Sequence, residues 1–416
     1  MNPDQKRIIA LSDSLQQAAD QIKVLRNISW ASSVKEDFFR NKAQKLPVVF
    51  YPEVDMSEAL SILKAVRKEL KEGSNIDLWA MRIADRLEGS ALMLVHRGTK
   101  RFYQQSSWVY GKPGDLIRNA EISALDLAKH FDEMFEHTRD LDLGGDSAEE
   151  RLSAQELAEE MKVVVSKEFG DLAPEIVLDQ SLASNALAGR RRISIRPEAR
   201  FSDMDVDQLI NHEVFVHIVT SLNGHLQPHL KILGEAHAGT TKTQEGLAIF
   251  AEYITNSIDL DRFRRLSDRV LAIQMAIDGA DFIEVYRYYL KQIGNKDQAY
   301  ENARRVFRGG LISGGGPFTK DIVYLEGLLT VHSFLRLAML QGRIDYLDLL
   351  FCGKMDIIDL PVMKELKEMG LIEGAKFLPP WMRDKRYLLT YLSYSAFLDG
   401  FNLEGLKKDF EHMMNA

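Results

Sequence analysis

One predicted helix of this sequence carries two histidines at a spacing that a regular α-helix does not place on one face. Residues 201–222 read FSDMDVDQLINHEVFVHIVTSL. Ser202 followed by Asp205 resembles a capping box, which marks the start of a helix. The apolar residues then predict about five helical turns, and Asn223 with Gly224 predicts the end.

His212 and His217 lie five residues apart in this helix, with Glu213 between them. In an α-helix, side chains at i and i+4 differ by roughly 40° around the axis, whereas i and i+5 differ by roughly 140°. The two imidazoles can therefore share a ligand only if the helix absorbs one extra residue. We predict a π-type distortion between them, because such distortions cluster at functional sites.

These residue types, in this order, favour a zinc site. Two histidines on one helix with a glutamate after the first bind zinc in many metallopeptidases, and the glutamate acts as general base. The third ligand that we predict is Glu245, at the start of a second helix that reads TQEGLAIFAEY. Gly246 allows close approach of another helix, and Ala248 leaves room beside the metal.

Other interpretations of these residues remain open at this stage. His212 and His217 could simply line a helix, and Glu245 could be a first-turn glutamate favoured by the helix dipole. His225 is a rival third ligand, although Glu245 is preferred. Glu252 lies on the same face as Glu245 and could orient a ligand histidine, but we expect it to be solvated.

The remaining pattern predicts an α+β fold that is predominantly helical. A few strands precede residue 200, and nearly everything after residue 201 reads as helix. We predict helices at 4–24, 57–70, 75–87, 121–138 and 153–168, and strands at 92–95, 176–178 and 191–195. The segment 46–52 reads as a short strand or extended chain. A polar linker at 143–147 separates two predicted regions, residues 1–145 and 150–416.

Composition excludes several classes of function. The 416 residues are 45% hydrophobic and carry a net charge of -8, so we expect no nucleic-acid partner. The one basic triplet, Arg190 to Arg192, is interpreted as a solvated turn. No secretion signal or membrane-spanning run is evident, and a single cysteine, Cys352, permits no internal disulfide. We expect a cytoplasmic protein with Cys352 buried.

The sequence resembles the bacterial flavohemoglobin expression-modulating QEGLA motif proteins, which belong with the eukaryotic microtubule-associated tyrosine carboxypeptidase. The segments that carry the resemblance are HEVFVH at 212–217, TKTQEGLAIFAEY at 241–253 and FRGGLISGGGPFTKDIVYLEG at 307–327. The stretch RFSDMDVDQLINHE, which leads into the first of these, is similar too. The resemblance covers most of the chain.

The resemblance implies a zinc carboxypeptidase with a zincin-like (gluzincin) core and a small sheet before the active-site helix. His212, His217 and Glu245 would bind zinc, and Glu213 would be the base. The substrate would be a peptide or protein C-terminus, since the eukaryotic relative removes the terminal tyrosine of α-tubulin. The alternatives are a metallo-endopeptidase or aminopeptidase on the same site, or a non-enzymatic zinc-containing regulator.

A carboxypeptidase also needs a cation for the terminal carboxylate of its substrate. Our candidates are Arg308 and Lys320, which flank a glycine-rich loop. Tyr324 follows one turn after Lys320 and is a candidate donor to the developing oxyanion. In the alternative interpretation, Arg308 caps a helix C-terminus, Lys320 is solvated and Tyr324 is a packing residue.

Overall fold

The computed structural model describes residues 1–117, 120–136, 152–180, 182, 184–399 and 413. It is mostly helical, at 66% helix, with two small sheets, which confirms the predominantly helical pattern. The helices before the first sheet are α1 (Pro3–Gln21), α2 (Val24–Asn27), α3 (Ser32–Arg40), α4 (Ser57–Lys68), α5 (Asn75–Val95), α6 (Lys100–Tyr110) and α7 (Ala124–Glu136). The predicted linker at 143–147 lies outside the described residues, so the division into 1–145 and 150–416 stays a prediction.

The strand prediction at 92–95 is wrong, while for 46–52, predicted as a short strand or extended chain, only the strand alternative fails. Residues 92–95 form the last turn of α5, because Met93 and Leu94 continue its buried face. A short apolar run of this kind has no periodicity that separates a strand from a helix. The segment 46–52 contains no strand in the part of the chain that the structure describes. Its two prolines offer no N–H group to a sheet.

The short strands lie just before α8 (Ala154–Phe169) or between α8 and the helix that carries His212 and His217, as predicted for 176–178 and 191–195. The strands are β1 (Leu152–Ser153), β2 (Glu175–Leu178), β3 (Ala186–Ala188), β4 (Arg192–Ile195) and β5 (Arg200–Phe201). β1 and β5 form an antiparallel pair. β4 is the centre of the other sheet, parallel to β2 and antiparallel to β3. β3 is therefore an edge strand, and the arginine triplet is exposed at the β3–β4 turn.

The second half is helical, as predicted. Its α-helices are α9 (Asp203–Leu209), α10 (Val219–Leu226), α11 (Ala238–Ile254), α12 (Leu260–Ile277), α13 (Phe282–Ile293), α14 (Lys296–Phe307), α15 (Val323–Leu340), α16 (Asp345–Leu349), α17 (Leu360–Glu368), α18 (Pro380–Arg383) and α19 (Lys385–Asp399). α11 packs centrally against α15 and α5. Aromatic rings of the N-terminal part of the chain join the same core, where Trp30 and Phe38 contact Phe282 and Tyr300.

One helix within the described residues, Lys320–Leu340, is long and apolar enough to cross a membrane by length and composition. The core helices of soluble proteins meet the same criterion. Its Gly327 packs directly on the backbone of α11: a Cβ at that position would lie 2.4 Å from the carbonyl oxygen of Lys242. Close packing of this kind is the usual environment of a core helix.

Candidate metal centre

The histidine helix carries the predicted distortion. Residues Ile210–Ile218 form a π-helix between α9 and α10, which confirms the expectation from the spacing. Because the hydrogen bonds of a π-helix run from i to i+5, residues five apart come to lie on one face. The imidazole centroids of His212 and His217 are accordingly 4.9 Å apart.

Glu245, in the second turn of α11, completes a cluster with the two histidines. Its Oε2 lies 3.6 Å from His212 Nε2 and 3.7 Å from His217 Nε2. One ligand atom from each of the three residues lies within 4.8 Å of the others, as required for a shared metal ion. The structure thus brings together the three residues that were predicted as metal ligands.

A second glutamate holds the outer nitrogen of His212. Glu252 Oε1 lies 2.6 Å from His212 Nδ1, and its side chain is fully buried. The expectation that Glu252 is solvated is therefore wrong. It lies two turns after Glu245 on the same face of α11, and that face meets the π-helix and a side chain of α12.

Arg262 of α12 accounts for the burial of this carboxylate. Its Nε and Nη2 both donate to Glu252, at 3.0 Å each, and Gln208 donates to Oε1 at 3.2 Å. A buried carboxylate with these donors is compensated for the loss of water. The hydrogen bond to Nδ1 leaves Nε2 of His212 directed at Glu245, which fixes the ring as metal ligands are usually fixed.

His217 has a weaker support of the same kind. Its Nδ1 lies 3.5 Å from the amide oxygen of Gln244, the residue before Glu245, and that oxygen also accepts from Thr220 at 2.8 Å. Both ligand histidines therefore contact α11 through their outer nitrogens. α11 also contributes Glu245, so one helix sets the geometry of all three candidate ligands.

The electrostatics keep the carboxylates ionised. Burial raises the pKa of Glu245, but the charge of Lys320 and contacts with His212 and His217 outweigh it and lower this pKa well below the usual value. Burial likewise raises the pKa of Glu252, but Arg262 and His212 lower it to about 2. Burial lowers the pKa of His212, yet Glu245 and Glu252 raise it to about 10. Such a concentration of negative charge around imidazoles attracts a cation.

Glu213 is buried beside this cluster and is held by the edge of the small sheet. Its Oε2 accepts a hydrogen bond of 2.8 Å from the backbone N–H of Ala188 in β3. Because β3 is an edge strand, its outer backbone groups are not used by a further strand. The predicted base is thus anchored within the site at one of its two oxygens.

The three candidates for substrate contacts are buried near Glu245 or one layer beyond it. Lys320 Nζ donates to Glu245 Oε1 at 3.0 Å and lies 5.1 Å from the centre of the Tyr324 ring. The interpretation of Lys320 as solvated is therefore wrong. The Tyr324 hydroxyl accepts from Arg305 at 3.4 Å. Arg308 follows the C-terminus of α14 and stacks on Phe318.

The rival ligand His225 is directed elsewhere. Its Nε2 pairs with Glu235 at 3.1 Å and its Nδ1 lies 2.7 Å from the carbonyl oxygen of Ser221. His237 accepts a hydrogen bond from the N–H of Gly239 as the N-cap of α11. Neither histidine joins the metal-ligand cluster among the described residues. Cys352 is buried, as expected.

Sequence reasoning missed Gln244 and Arg262. Gln244 could have been found from its position, because it directly precedes Glu245 on the helix that faces the two histidines. Arg262 gave no such signal, since it lies on a different helix and only the tertiary packing brings it to Glu252.

Comparison with known proteins adds one match that covers most of the chain. The family model described as microtubule-associated tyrosine carboxypeptidase matches residues 36–400. The matched range contains the π-helix, α11 and all the candidate residues named above. No curated protein gives a significant match.

Proposed function

Because this chain belongs to the microtubule-associated tyrosine carboxypeptidase family, we propose that it is a zinc metallocarboxypeptidase that removes a C-terminal aromatic residue, tyrosine or phenylalanine. The observation that carries the proposal is the convergence of His212, His217 and Glu245 on one point, with Glu213 buried beside it. The core is zincin-like in this proposal, with the sheet of β2 to β4 before the active-site helix.

The donor set fits zinc. Tetrahedral zinc with nitrogen and oxygen ligands at about 2.0–2.1 Å has ligand atoms roughly 3.3–3.5 Å from one another. The separations of 3.6 and 3.7 Å between Glu245 and the two imidazoles come close to this value. Three protein ligands also leave a coordination position open, as in catalytic rather than structural zinc sites. His212, His217 and Glu245 would hold the zinc ion, which would supply a Lewis acid for the attacking water and the scissile carbonyl.

Glu213 then acts as the general base and general acid. One carboxylate oxygen, held by Ala188, is fixed in position, while the other can take a proton from the attacking water. The same group can deliver that proton to the leaving amine. Glu252 and Gln244 keep the histidine rings in place during the reaction, because each contacts an outer imidazole nitrogen.

Tyr324, Lys320 and Arg308 form the positively charged side of the proposed site. The Tyr324 hydroxyl accepts from Arg305, so its own hydrogen is available for the oxyanion that develops on the carbonyl. Lys320 and Arg308 contribute the positive potential that an anionic chain terminus needs. These roles are proposed from position and chemistry.

The direct test is Glu213→Gln, assayed on N-terminally blocked dipeptides that end in tyrosine or phenylalanine. We expect kcat to fall by at least about 10²–10⁴-fold, because the proton transfers are lost, while zinc content stays at the wild-type level. Glu168→Gln, at a peripheral ion pair with Arg383, is the matched control and keeps full activity.

The position of the cleaved bond tests the carboxypeptidase assignment. Release of the terminal aromatic residue from a blocked dipeptide supports it, because an aminopeptidase does not act on a blocked N-terminus. Cleavage only inside longer peptides would indicate an endopeptidase instead. A Glu213→Gln variant with wild-type turnover would contradict the mechanism.

A further inference from the structure

Two arginines carry a buried guanidinium nitrogen and have no partner for the side chain. Among the described residues, the Nε of Arg269 and that of Arg308 are buried without a hydrogen bond, and no acceptor or carboxylate holds either side chain through another nitrogen. The other arginines with a buried, unpaired Nε are held in that way, namely Arg82, Arg196, Arg264 and Arg304. Burial of an unpaired cation is costly. Arg269 and Arg308 are therefore the two candidates for contact with an anionic ligand.

Arg269 is connected to the candidate metal cluster by direct contacts. Its guanidinium carbon, Cζ, lies 4.8 Å from the centre of the Tyr324 ring. Lys320 Nζ lies 5.1 Å from the centre of the same ring and donates to Glu245 Oε1 at 3.0 Å. Arg269 is thus two side chains away from a candidate metal ligand, through Tyr324 and Lys320.

The place of Arg269 in α12 agrees with this contact. Arg269 follows Arg262 by seven residues, so the two side chains leave one face of the helix about two turns apart. Arg262 donates to Glu252, and Glu252 holds the ring of His212. The same face of α12 therefore supports a ligand histidine with its first arginine and reaches Tyr324 with its second.

The other two cations that contact Tyr324 already have carboxylate partners. Arg305 donates to Asp321 at 2.7 Å as well as to the Tyr324 hydroxyl at 3.4 Å, and Lys320 is paired within the metal cluster. Burial lowers the pKa of Arg269 to about 10, and the charge of Arg305 lowers it too, while Asp321 opposes the shift. Arg269 stays protonated at neutral pH. It therefore carries an uncompensated positive charge beside Tyr324.

The chemistry of the proposed reaction brings a terminal carboxylate close to Tyr324. A hydroxyl that donates to the oxyanion lies about 2.8 Å from that oxygen. Four backbone bonds join the same oxygen to the carboxylate carbon of the terminal residue, a span of at most roughly 5 Å. The carboxylate carbon thus lies within roughly 8 Å of the Tyr324 hydroxyl oxygen. A guanidinium in contact with the Tyr324 ring falls inside the same range.

We infer that Arg269 binds the terminal carboxylate of the substrate beside Tyr324 and so makes the enzyme specific for chain ends. The inference rests on the proposed function. A planar guanidinium offers the two parallel donors that a carboxylate accepts. Arg308 is placed differently. Its Cζ lies 5.6 Å from the centre of the Phe318 ring, and in the part of the chain that the structure describes it contacts neither Tyr324 nor the metal cluster. Arg308 therefore contributes potential, whereas Arg269 makes the contact.

The test compares an N-blocked dipeptide ending in tyrosine as the free acid with the same dipeptide as its C-terminal amide. The wild type is expected to prefer the acid by about 10²-fold, the usual effect of a charge-assisted contact. In Arg269→Met, which keeps an apolar chain against the Tyr324 ring, kcat/KM for the acid should fall by a similar factor, mainly through KM. Hydrolysis of the amide should stay unchanged. Arg269→Lys should restore part of the preference, because it keeps the charge and loses the paired donors.

Binding gives a second readout that does not depend on turnover. In the zinc-loaded Glu213→Gln background, calorimetry should show that Arg269→Met weakens binding of the acid about 10²-fold and leaves the amide unaffected. Arg308→Met should weaken binding of the acid by a smaller factor, since its charge acts from farther away. Arg287→Met, at an exposed arginine of α13, is the matched control. Zinc content measured on each variant shows that the metal site is intact.

Three outcomes would overturn the inference. If Arg269→Met keeps the wild-type preference for the acid, Arg269 is not the carboxylate ligand and the proposed function still stands; loss of the preference in Arg308→Met would then assign the contact to Arg308. An equal loss for acid and amide in Arg269→Met would show that Arg269 supports Tyr324 without contacting the carboxylate. A wild type that cleaves neither compound would contradict the proposed function itself, and the inference with it.

Discussion

The two ligand histidines are oriented by side chains that do not touch the metal position. His212 is held by Glu252 at 2.6 Å, and Glu252 is itself neutralised by Arg262. The carboxylate of Glu252, paired with the Arg262 guanidinium, accepts from the His212 ring. This contact fixes the tautomer of the ring and raises the basicity of its other nitrogen. In the proposed zinc site, Glu252 and Arg262 would therefore affect the metal affinity without being ligands themselves.

Glu252→Gln should weaken zinc binding by about 10–100-fold. The glutamine amide can still accept a hydrogen bond from His212. The substitution removes the negative charge, however, and leaves the buried Arg262 without a charged partner. Zinc affinity is measured by competition with a chromophoric chelator. Glu168→Gln serves as control, because its ion pair with Arg383 is peripheral.

An unchanged zinc affinity in Glu252→Gln would show that the negative charge of Glu252 contributes nothing to metal binding. A loss of the same size in Glu168→Gln would show that the effect is a general consequence of removing charge from this protein.

The residues of the candidate metal cluster could be predicted from sequence, whereas the residues that support them mostly could not. His212, Glu213, His217 and Glu245 stand out because the chemistry of zinc requires these residue types. Glu252 lies on the same face of its helix as Glu245, which would allow it to reach a histidine. A charged side chain, however, is almost never buried unless it is paired. Arg262, which pairs with Glu252, lies on another helix. The sequence alone therefore favoured a solvated Glu252.

The π-helix is the element on which the site depends, and its existence follows from the spacing of its histidines. Five residues separate His212 from His217, and an α-helix would direct them apart. The strand prediction at 92–95 failed for the opposite reason, since four apolar residues carry too little periodicity. The π-helix could thus be predicted because a shared ligand would require both histidines on one face of the helix.

The contact between α11 and α15 is the second element-scale feature of the site. A Cβ on Gly246 would lie 2.3 Å from the carbonyl oxygen of Gly327, far inside van der Waals contact. The two helix backbones meet here, one residue away from the ligand Glu245. The absence of a side chain at both positions is therefore required for this crossing.

Gly246→Ala should destabilise the protein by about 1–3 kcal/mol, because α15 must move away to admit the methyl group. Zinc affinity should fall too, since the displacement shifts Glu245. Chemical denaturation measures the first effect and metal competition the second. Gly114→Ala is the control, because a Cβ there meets nothing within 4 Å; equal unfolding midpoints for the two variants would contradict the close crossing.

At the scale of the whole molecule, the site is assembled from distant parts of the chain. The sheet edge supplies Ala188, the π-helix supplies His212, Glu213 and His217, α11 supplies Glu245 and Glu252, and α12 supplies Arg262. The sequence indicated a helical second half and the metal motifs within it. It gave no indication of which loops and helices close around them, because that depends on long-range packing.

The central claim is that His212, His217 and Glu245 hold one catalytic zinc. The most direct measurement is metal content by elemental analysis of wild type and Glu245→Ala, purified without chelators, with hydrolysis of blocked dipeptides ending in tyrosine followed in parallel. The claim predicts about one zinc per chain in the wild type, loss of zinc in the variant, and release of tyrosine by the wild type alone. A wild type that contains no zinc and takes up none on addition would contradict it.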